Sequence, residues 1–491
     1  MHVAFVAPEC VPYSKTGGLA DVVGALPRAL AHLGHQVSVY VPRYRSTRLS
    51  DPETVVRSIT VPFDDQYRFC SVVTGDNVAG VRHYFVDYPD YFDREALYGT
   101  PAGDYSDNAE RFALFCRAVI EASKILGVPQ VFHCHDWQSA LVPVLLRTIY
   151  AEDPAFREVA TLFTVHNIGY QGIFPPEILP LLMLPWDLFT IARLEFFGQL
   201  NLLKGALVMA DALTTVSRKY AQEIQTAEYG FGLEGVLRSR ASNLTGILNG
   251  VDYEAWNPQS DKYIAAHYSP QDLTGKAKCK QDLLAQFEIA DVNTKLPVIG
   301  IVSRFAGQKG FDLIAQIMDR LAREEMILTV LGTGDATYED LFRRLHRQFP
   351  QKIAVKIAYD NALAHKIEAG ADMFLMPSHY EPCGLNQIYS LKYGTVPIVR
   401  ATGGLDDTIE PWDARSRKGT GFKFAEYNSE ALLATIKHAL ADFRDQSSWQ
   451  VLIANGMSRD FSWTGAAREY SKVYERVRQI RAASLGERIR V

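Results

Sequence analysis

The chain has 491 residues, 47% hydrophobic and 22% charged, enough for two large domains or about three of ordinary size and too apolar for a disordered chain. Its 51 basic and 56 acidic residues leave a net charge of −5, which excludes a protein whose affinity rests on counterion release from nucleic acid. Any anionic ligand must instead be met by a few placed cations.

Residues 2–7 read as a short apolar strand and 8–18 as a loop. Leu19, Val22, Val23, Leu26, Leu30 and Leu33 then recur at helical spacing until Gly34 closes the helix. A β-branched strand follows over 36–41, so the chain opens as a βαβ unit. The apolar start lacks the basic segment of a signal peptide. No stretch approaches the ~20 apolar residues that span a bilayer, so no membrane partner is expected. Six cysteines lie scattered without a CxxC pair, which disfavours a disulfide framework and a structural zinc and points to a cytoplasmic protein.

Further on, VFHCHDWQSAL places His133, His135, Asp136 and Trp137 at a strand end, and LFTVHNIGYQG places His166 and Asn167 at another. Three histidines and an aspartate invite a metal reading. HxH with one distant histidine is a weak ligand set, however, and the chain has no DxD for a Mg-diphosphate, so no metal is expected. The same residues suit a sugar: Trp137 offers an apolar face, and Asp136 and His166 offer hydroxyl partners. For His133 the alternative is a core histidine. A polar, proline-marked connector places a hinge at about residues 247–260.

Near residue 296 the same grammar restarts: PVIGIVSR as a strand, FAGQKG as a loop, FDLIAQIMDRLAREE as an amphipathic helix and MILTVLG as the next strand. The loop carries Arg304 and Lys309 where open parallel sheets bind ligands, and together they could neutralise a diphosphate without metal; otherwise they are two solvated loop cations. LGTGDATYED lacks the third glycine of a dinucleotide fingerprint, and neither GxSxG nor a P-loop GKS is present. In MPSHYEPCGLNQ, Glu381 ends a strand before Pro382, Cys383 and Gly384 open a helix; it could bind sugar hydroxyls or simply cap that helix. TGGLADVV at 16–23 and TGGLDDTI at 402–409 each set two glycines before a helix, a backbone suited to an oxyanion. From residue 463 a charged helix carries Tyr470, Val473, Tyr474 and Val477 on one face, a stripe expected to cross back onto the first domain.

KTGGLADVVGALP, DNAERF, HCHDWQSAL, FTVHNIGYQG, ILNGVD, SRFAGQKG, EPCGLNQIYSLKYGTVPIVRATGGL and GTGF, in that order along nearly the whole chain, resemble the bacterial glycogen synthase and plant starch synthase family of glycosyltransferases. The resemblance implies an α/β fold of two Rossmann-like, doubly wound domains of the GT-B type facing across a deep cleft. The expected boundaries are 1–248, 249–462 and a C-terminal helix over 463–491. It also implies transfer of glucose from ADP-glucose, with retained configuration, to the non-reducing 4-hydroxyl of an α-1,4-glucan such as glycogen, without a cofactor. UDP-glucose stays open, because Tyr359 would stack on either base.

By the same resemblance Lys15, Gly18 and Asp21 would lie by the donor diphosphate, which Arg304 and Lys309 would clamp. Thr402, Gly403, Gly404 and Leu405 would add backbone donors. His166 would lie against the glucosyl ring with Asn249 nearby, Glu381 would hold glucose hydroxyls, and Cys383 and Gly384 would donate from the helix start. Asp136, Trp137 and Tyr98 would lie on the acceptor side. Competing readings are another retaining glucosyltransferase of this fold, disfavoured by the pairing of KTGGL with EPCGLNQ, and an inactive glucan-binding protein, which would have lost Lys15, Arg304, Lys309 or Glu381.

Overall fold

The computed structural model describes residues 1–63, 66–75, 77–100, 103–289 and 295–489. They form two units, Met1–Gly250 with Trp463–Val491, and Val251–Ser462. Residues 249 and 250, expected to open the second domain, thus belong to the first.

The first unit is built on nine strands: β1 (His2–Val6), β2 (Gln36–Pro42), β3 (Glu53–Phe63), β4 (Gln66–Thr74), β5 (Val81–Asp87), β6 (Val131–His135), β7 (Ala160–Val165), β8 (Ala212–Thr215) and β9 (Leu244–Gly246). Their order is β9-β8-β7-β6-β1-β2-β5-β4-β3. The strands from β9 to β5 run parallel, and β4 and β3 add an antiparallel hairpin at one edge. Strands of such a sheet are covered on both faces, which is why Val3, Ala4, Phe5 and Val6 are all fully buried. Strand order reverses between β1 and β6, so the loops leaving these two strands diverge to opposite faces and open a crevice at their carboxyl ends. That is where KTGGL and HDW lie.

The second unit has six parallel strands: β10 (Val298–Val302), β11 (Ile327–Gly332), β12 (Ile353–Ile357), β13 (Met373–Met376), β14 (Val396–Arg400) and β15 (Phe422–Phe424). The order β12-β11-β10-β13-β14-β15 is the doubly wound arrangement, with its reversal between β10 and β13. The helix Phe311–Leu321 buries Phe311, Ile314, Ile317, Met318 and Leu321, the face expected from its 3.6-residue period.

Two segments far apart in sequence complete the units. The C-terminal helix Trp463–Ile489 places Trp463, Ala467, Tyr470, Tyr474 and Val477 in one core with Val3, Phe5, Leu26 and Leu30. Its stripe is therefore part of the first unit. The connector after Gly250 is built into the second unit: Trp256 is stacked between His365 and Tyr389, 3.6 and 4.0 Å from their ring centres. Asp261 accepts from Tyr393 Oη at 2.5 Å and pairs with His365 Nδ1 at 2.7 Å. The polar look of this segment, read from sequence as a connector, includes a polar clamp centred on the buried Asp261. Among the described residues no helix is long and apolar enough to cross a membrane.

Candidate functional site

In the first unit, β1 delivers the chain to Glu9, a buried carboxylate that organises the glycine loop. Glu9 accepts from Thr16 N, from Thr16 Oγ1 at 2.6 Å and from Tyr98 Oη at 2.6 Å. Gly17 takes an extended conformation and no side chain caps the helix Gly18–His32, so Lys15, Thr16, Gly17 and Gly18 stay exposed at the end of the helix where backbone N–H groups point outward. Lys15 Nζ pairs with Asp21 Oδ1 at 2.8 Å. Asp21, expected beside the donor, thus holds the lysine in place. Tyr98, expected on the acceptor side, is bonded to the carboxylate that holds the glycine loop; burial, and then the Glu9 charge, push its phenol well above the ordinary range.

At the end of β6 the backbone of Asp136 turns to φ 54°, ψ 179°, a region that L-residues seldom occupy and that costs about 1–3 kcal/mol. It is held there from two sides. Asp136 N donates to Thr164 O at 3.1 Å, and Asp136 Oδ1 accepts from His166 N at 2.7 Å. Burial raises the Asp136 carboxyl to about 7 against the hydrogen bonds from the His166 and Asn167 backbones. His166 is 8% exposed and burial lowers its imidazole to about 3, so it is neutral at physiological pH. Its Nε2 lies 2.9 Å from His135 Nδ1.

Trp137 is buried edge-on to Phe112, and Gly172 packs on the indole. With φ +63° and an ideal Cβ 2.5 Å from Trp137 Cε3, only glycine fits at that position. Asn249 is buried with its Oδ1 unpartnered. His133 takes its core reading: Nδ1 meets Tyr474 Oη at 2.8 Å and Nε2 meets Thr164 Oγ1 at 2.6 Å. Among the described residues no three His, Cys, Asp or Glu side chains are grouped to hold a metal ion.

In the second unit the loops after β10 and β13 are knitted together. His379 N donates to Gln308 O at 2.8 Å, Gln308 Nε2 to Tyr380 O at 3.1 Å, and Asn386 Nδ2 to Val302 O at 2.8 Å. Lys309 Nζ donates to Glu381 Oε2 at 2.6 Å, and Ser378 Oγ reaches the same oxygen at 3.0 Å. Glu381 is buried and caps no helix; its side chain is spent on Lys309 and Ser378, which settles against the capping alternative. Arg304 is exposed on the same loop. Gly384 has φ +70° and the following helix Asn386–Lys392 has no side-chain cap, so Cys383 and Gly384 lead into an open helix start.

The two TGGL turns are not equivalent. The first is exposed. The second is buried against the EPCG segment, where Gly403 has φ +45° and an ideal Cβ would stand 1.9 Å from Glu381 O. Thr402 N donates to Arg400 O, Gly404 N to Glu381 O and Leu405 N to Thr402 O, at 2.9, 3.1 and 3.0 Å. Of residues 402–405, expected to offer backbone donors to a ligand, Thr402, Gly404 and Leu405 thus make these bonds inside the unit, and that of Gly404 ties the turn to the Glu381 backbone. Tyr359, in the loop after β12, is 80% exposed. Sequence reading missed Glu9, Ser378 and Gly172. For Glu9 there was a signal: an acid directly after a fully apolar strand, ahead of a glycine turn.

The chain matches two family models, "Starch synthase catalytic domain" over residues 2–239 and "Glycosyl transferases group 1" over residues 284–451. It is 70% identical to a glycogen synthase of Koribacter versatilis (strain Ellin345), over 98% of this chain and 99% of the relative. To a glycogen synthase of Anaeromyxobacter sp. (strain Fw109-5) it is 47% identical, over 96% and 99%. Among solved structures it resembles the catalytic domain of starch synthase IV from Arabidopsis thaliana bound to ADP and acarbose, with TM-score 0.90 and 32% identity over 97% of this chain and 99% of that one. A sucrose-phosphate synthase from Thermosynechococcus elongatus shares the fold at TM-score 0.60 and 18% identity, over 97% and 98%.

Proposed function

Because this chain belongs to the glycogen synthase and starch synthase family of glycosyltransferases, with two α/β units of the GT-B type, we propose that it elongates an α-1,4-glucan. The donor is ADP-glucose and the acceptor the non-reducing 4-hydroxyl, with retained configuration. The observation that carries this reading is the Lys309–Glu381 pair at the strand-order reversal of the second unit, its backbone locked by Gly403. A cation and a carboxylate held side by side suit a ligand that joins a phosphate to a polyhydroxyl ring. The Arabidopsis relative's ADP supports the choice of nucleotide.

In this reading Arg304 and Lys309 of the second unit neutralise the diphosphate as it departs, assisted by the helix start after Gly384, while in the first unit Lys15 and Gly18 offer a cation and exposed backbone to a phosphate. Glu381 takes glucose hydroxyls and Tyr359 stacks on the adenine. His166 faces the glucosyl ring with Asn249 beside it, and as a neutral imidazole it adds no charge against the positive charge developing on the anomeric carbon. Asp136, Trp137 and Tyr98 serve the acceptor. A double displacement would need a carboxylate nucleophile in line below the sugar; histidine at that face favours attack from the leaving-group side through an ion-pair-like transition state. The test offers ADP-glucose and UDP-glucose separately with glycogen and follows nucleotide release. Turnover with ADP-glucose supports the reading, a clear preference for UDP-glucose corrects the donor, and no turnover with either overturns it.

A further inference from the structure

His135 is absent from the roles assigned so far, yet it makes one polar contact that is hard to explain as packing. The residue is fully buried on β6, its ring stacked on Phe5 with centres 5.2 Å apart and tilted by 19°. His133, 4.2 Å away, offers nothing to it, because both His133 nitrogens are occupied by Tyr474 and Thr164. His135 Nδ1 meets His166 Nε2 at 2.9 Å, and His135 Nε2 is left buried with no partner. Burial keeps both rings neutral, so the pair shares a single bridging proton and has two arrangements.

In one arrangement His166 Nε2–H donates to His135 Nδ1. His135 must then carry its own proton on Nε2, a buried N–H pointing at nothing. In the other, His135 Nδ1–H donates to His166 Nε2, and the orphan is an unprotonated nitrogen. Among buried backbone groups an orphaned N–H donor is rarer than an under-satisfied acceptor, and the same preference carried over to the imidazole favours the second. His166 then carries its proton on Nδ1, the one ring nitrogen not spent on His135. Its main chain is anchored by the bond from its backbone N–H to Asp136.

We infer that His135 is a positioning residue that holds His166 in the Nδ1–H tautomer, so that a neutral N–H donor faces the reacting sugar. This rests on the reading that His166 lies against the glucosyl ring. A partner on one imidazole nitrogen selects what the other presents. The N–H donates to a sugar oxygen and cannot drift to the imidazolium, whose charge would oppose a developing oxocarbenium ion.

The experiment uses the full chain labelled with ¹⁵N-histidine, the His166 signals being assigned by their loss in His166→Gln. Wild type should show His166 Nδ1 protonated and Nε2 bare. His135→Phe removes the donor, and the two His166 tautomers should mix. His135→Asn should restore the wild-type pattern, because its amide N–H falls near the imidazole Nδ1 position. With ADP-glucose and glycogen, His135→Phe should lower kcat by about 10- to 100-fold, the size of a lost buried hydrogen bond, with KM for the donor changed by less than about threefold. His135→Asn should recover most of that loss. A wild-type His166 protonated on Nε2 would overturn the inference, as would a folded His135→Asn no better than His135→Phe. An Nδ1–H signal that His135→Phe disturbs without any loss of kcat would also overturn it, but through the placement of His166 at the sugar, which separates that failure from a wrong tautomer.

Discussion

Replacing Glu381 by glutamine tests whether the Lys309–Glu381 pair works on a substrate or merely holds two loops together. The Glu381 side chain is 8% exposed and that of Lys309 is 22% exposed, and one oxygen, Oε2, takes both Lys309 and Ser378. Glutamine keeps the shape and one acceptor but removes the charge. A hydrogen bond to a charged group is worth about 1.5–3 kcal/mol, so the unfolding free energy should fall by no more than about 3 kcal/mol. If Glu381 holds glucose hydroxyls most tightly in the transition state, kcat should fall by a similar amount, about 10- to 150-fold, with donor KM little changed. Adding Lys309→Met separates the two roles. Removing both partners of a buried pair relieves the unpaired ammonium, so stability should return towards wild type, whereas activity should fall further because the phosphate clamp is gone. Thermal unfolding and steady-state kinetics on the single and double variants give both readouts. Recovery of kcat along with stability in the double variant, or a Glu381→Gln enzyme with near-wild-type kcat, would refute a role for Glu381 on substrate.

Tyr359→Ala should leave the melting temperature unchanged, since the ring is exposed, and should raise KM for ADP-glucose about 2- to 12-fold, the range for one aromatic stack; steady-state kinetics decide. Gly403→Ala forces a Cβ against Glu381 O and should cost about 1–3 kcal/mol of stability from the clash alone, together with weaker ADP binding by calorimetry; wild-type values of both would show that the turn can relax. Asp136 binds its proton more tightly folded, near pH 7, than unfolded, near ~3.9. The stability that this proton contributes should therefore be lost as pH rises from about 4 to 7, against the gain from buried neutral histidines such as His166 over the same range, and Asp136→Asn should remove that loss, so that in melting curves the variant gains stability with pH more steeply than wild type. Parallel slopes for the two proteins would mean that the carboxylate is not kept from water.

The parts legible in the sequence were those written in local periods and turn residues. Two βαβ restarts, the aromatic stripe of the last helix and the strand-end positions of Lys309, Glu381 and His166 all follow from runs of fewer than about 20 residues. What escaped was set by contacts across long stretches of chain. Glu9 and Tyr98 meet over 89 positions and His135 and His166 over 31. No periodicity announces such pairs. The same reason hides the internal bonds of residues 402–405: a glycine turn before a helix reads the same in sequence whether or not one of its N–H groups, here that of Gly404, meets the carbonyl of Glu381. The stacking of Trp256, in a polar connector, was unreadable because its partners lie more than 100 residues downstream.

The most direct test of glucan elongation by charge-stabilised, retaining transfer is the product itself. ADP-[1-¹³C]glucose offered with a maltooligosaccharide should give a single new ¹³C anomeric signal, that of an α-1,4-linked terminal glucose, in step with ADP release. A β-linked product, or labelled free glucose released without chain growth, would contradict the account.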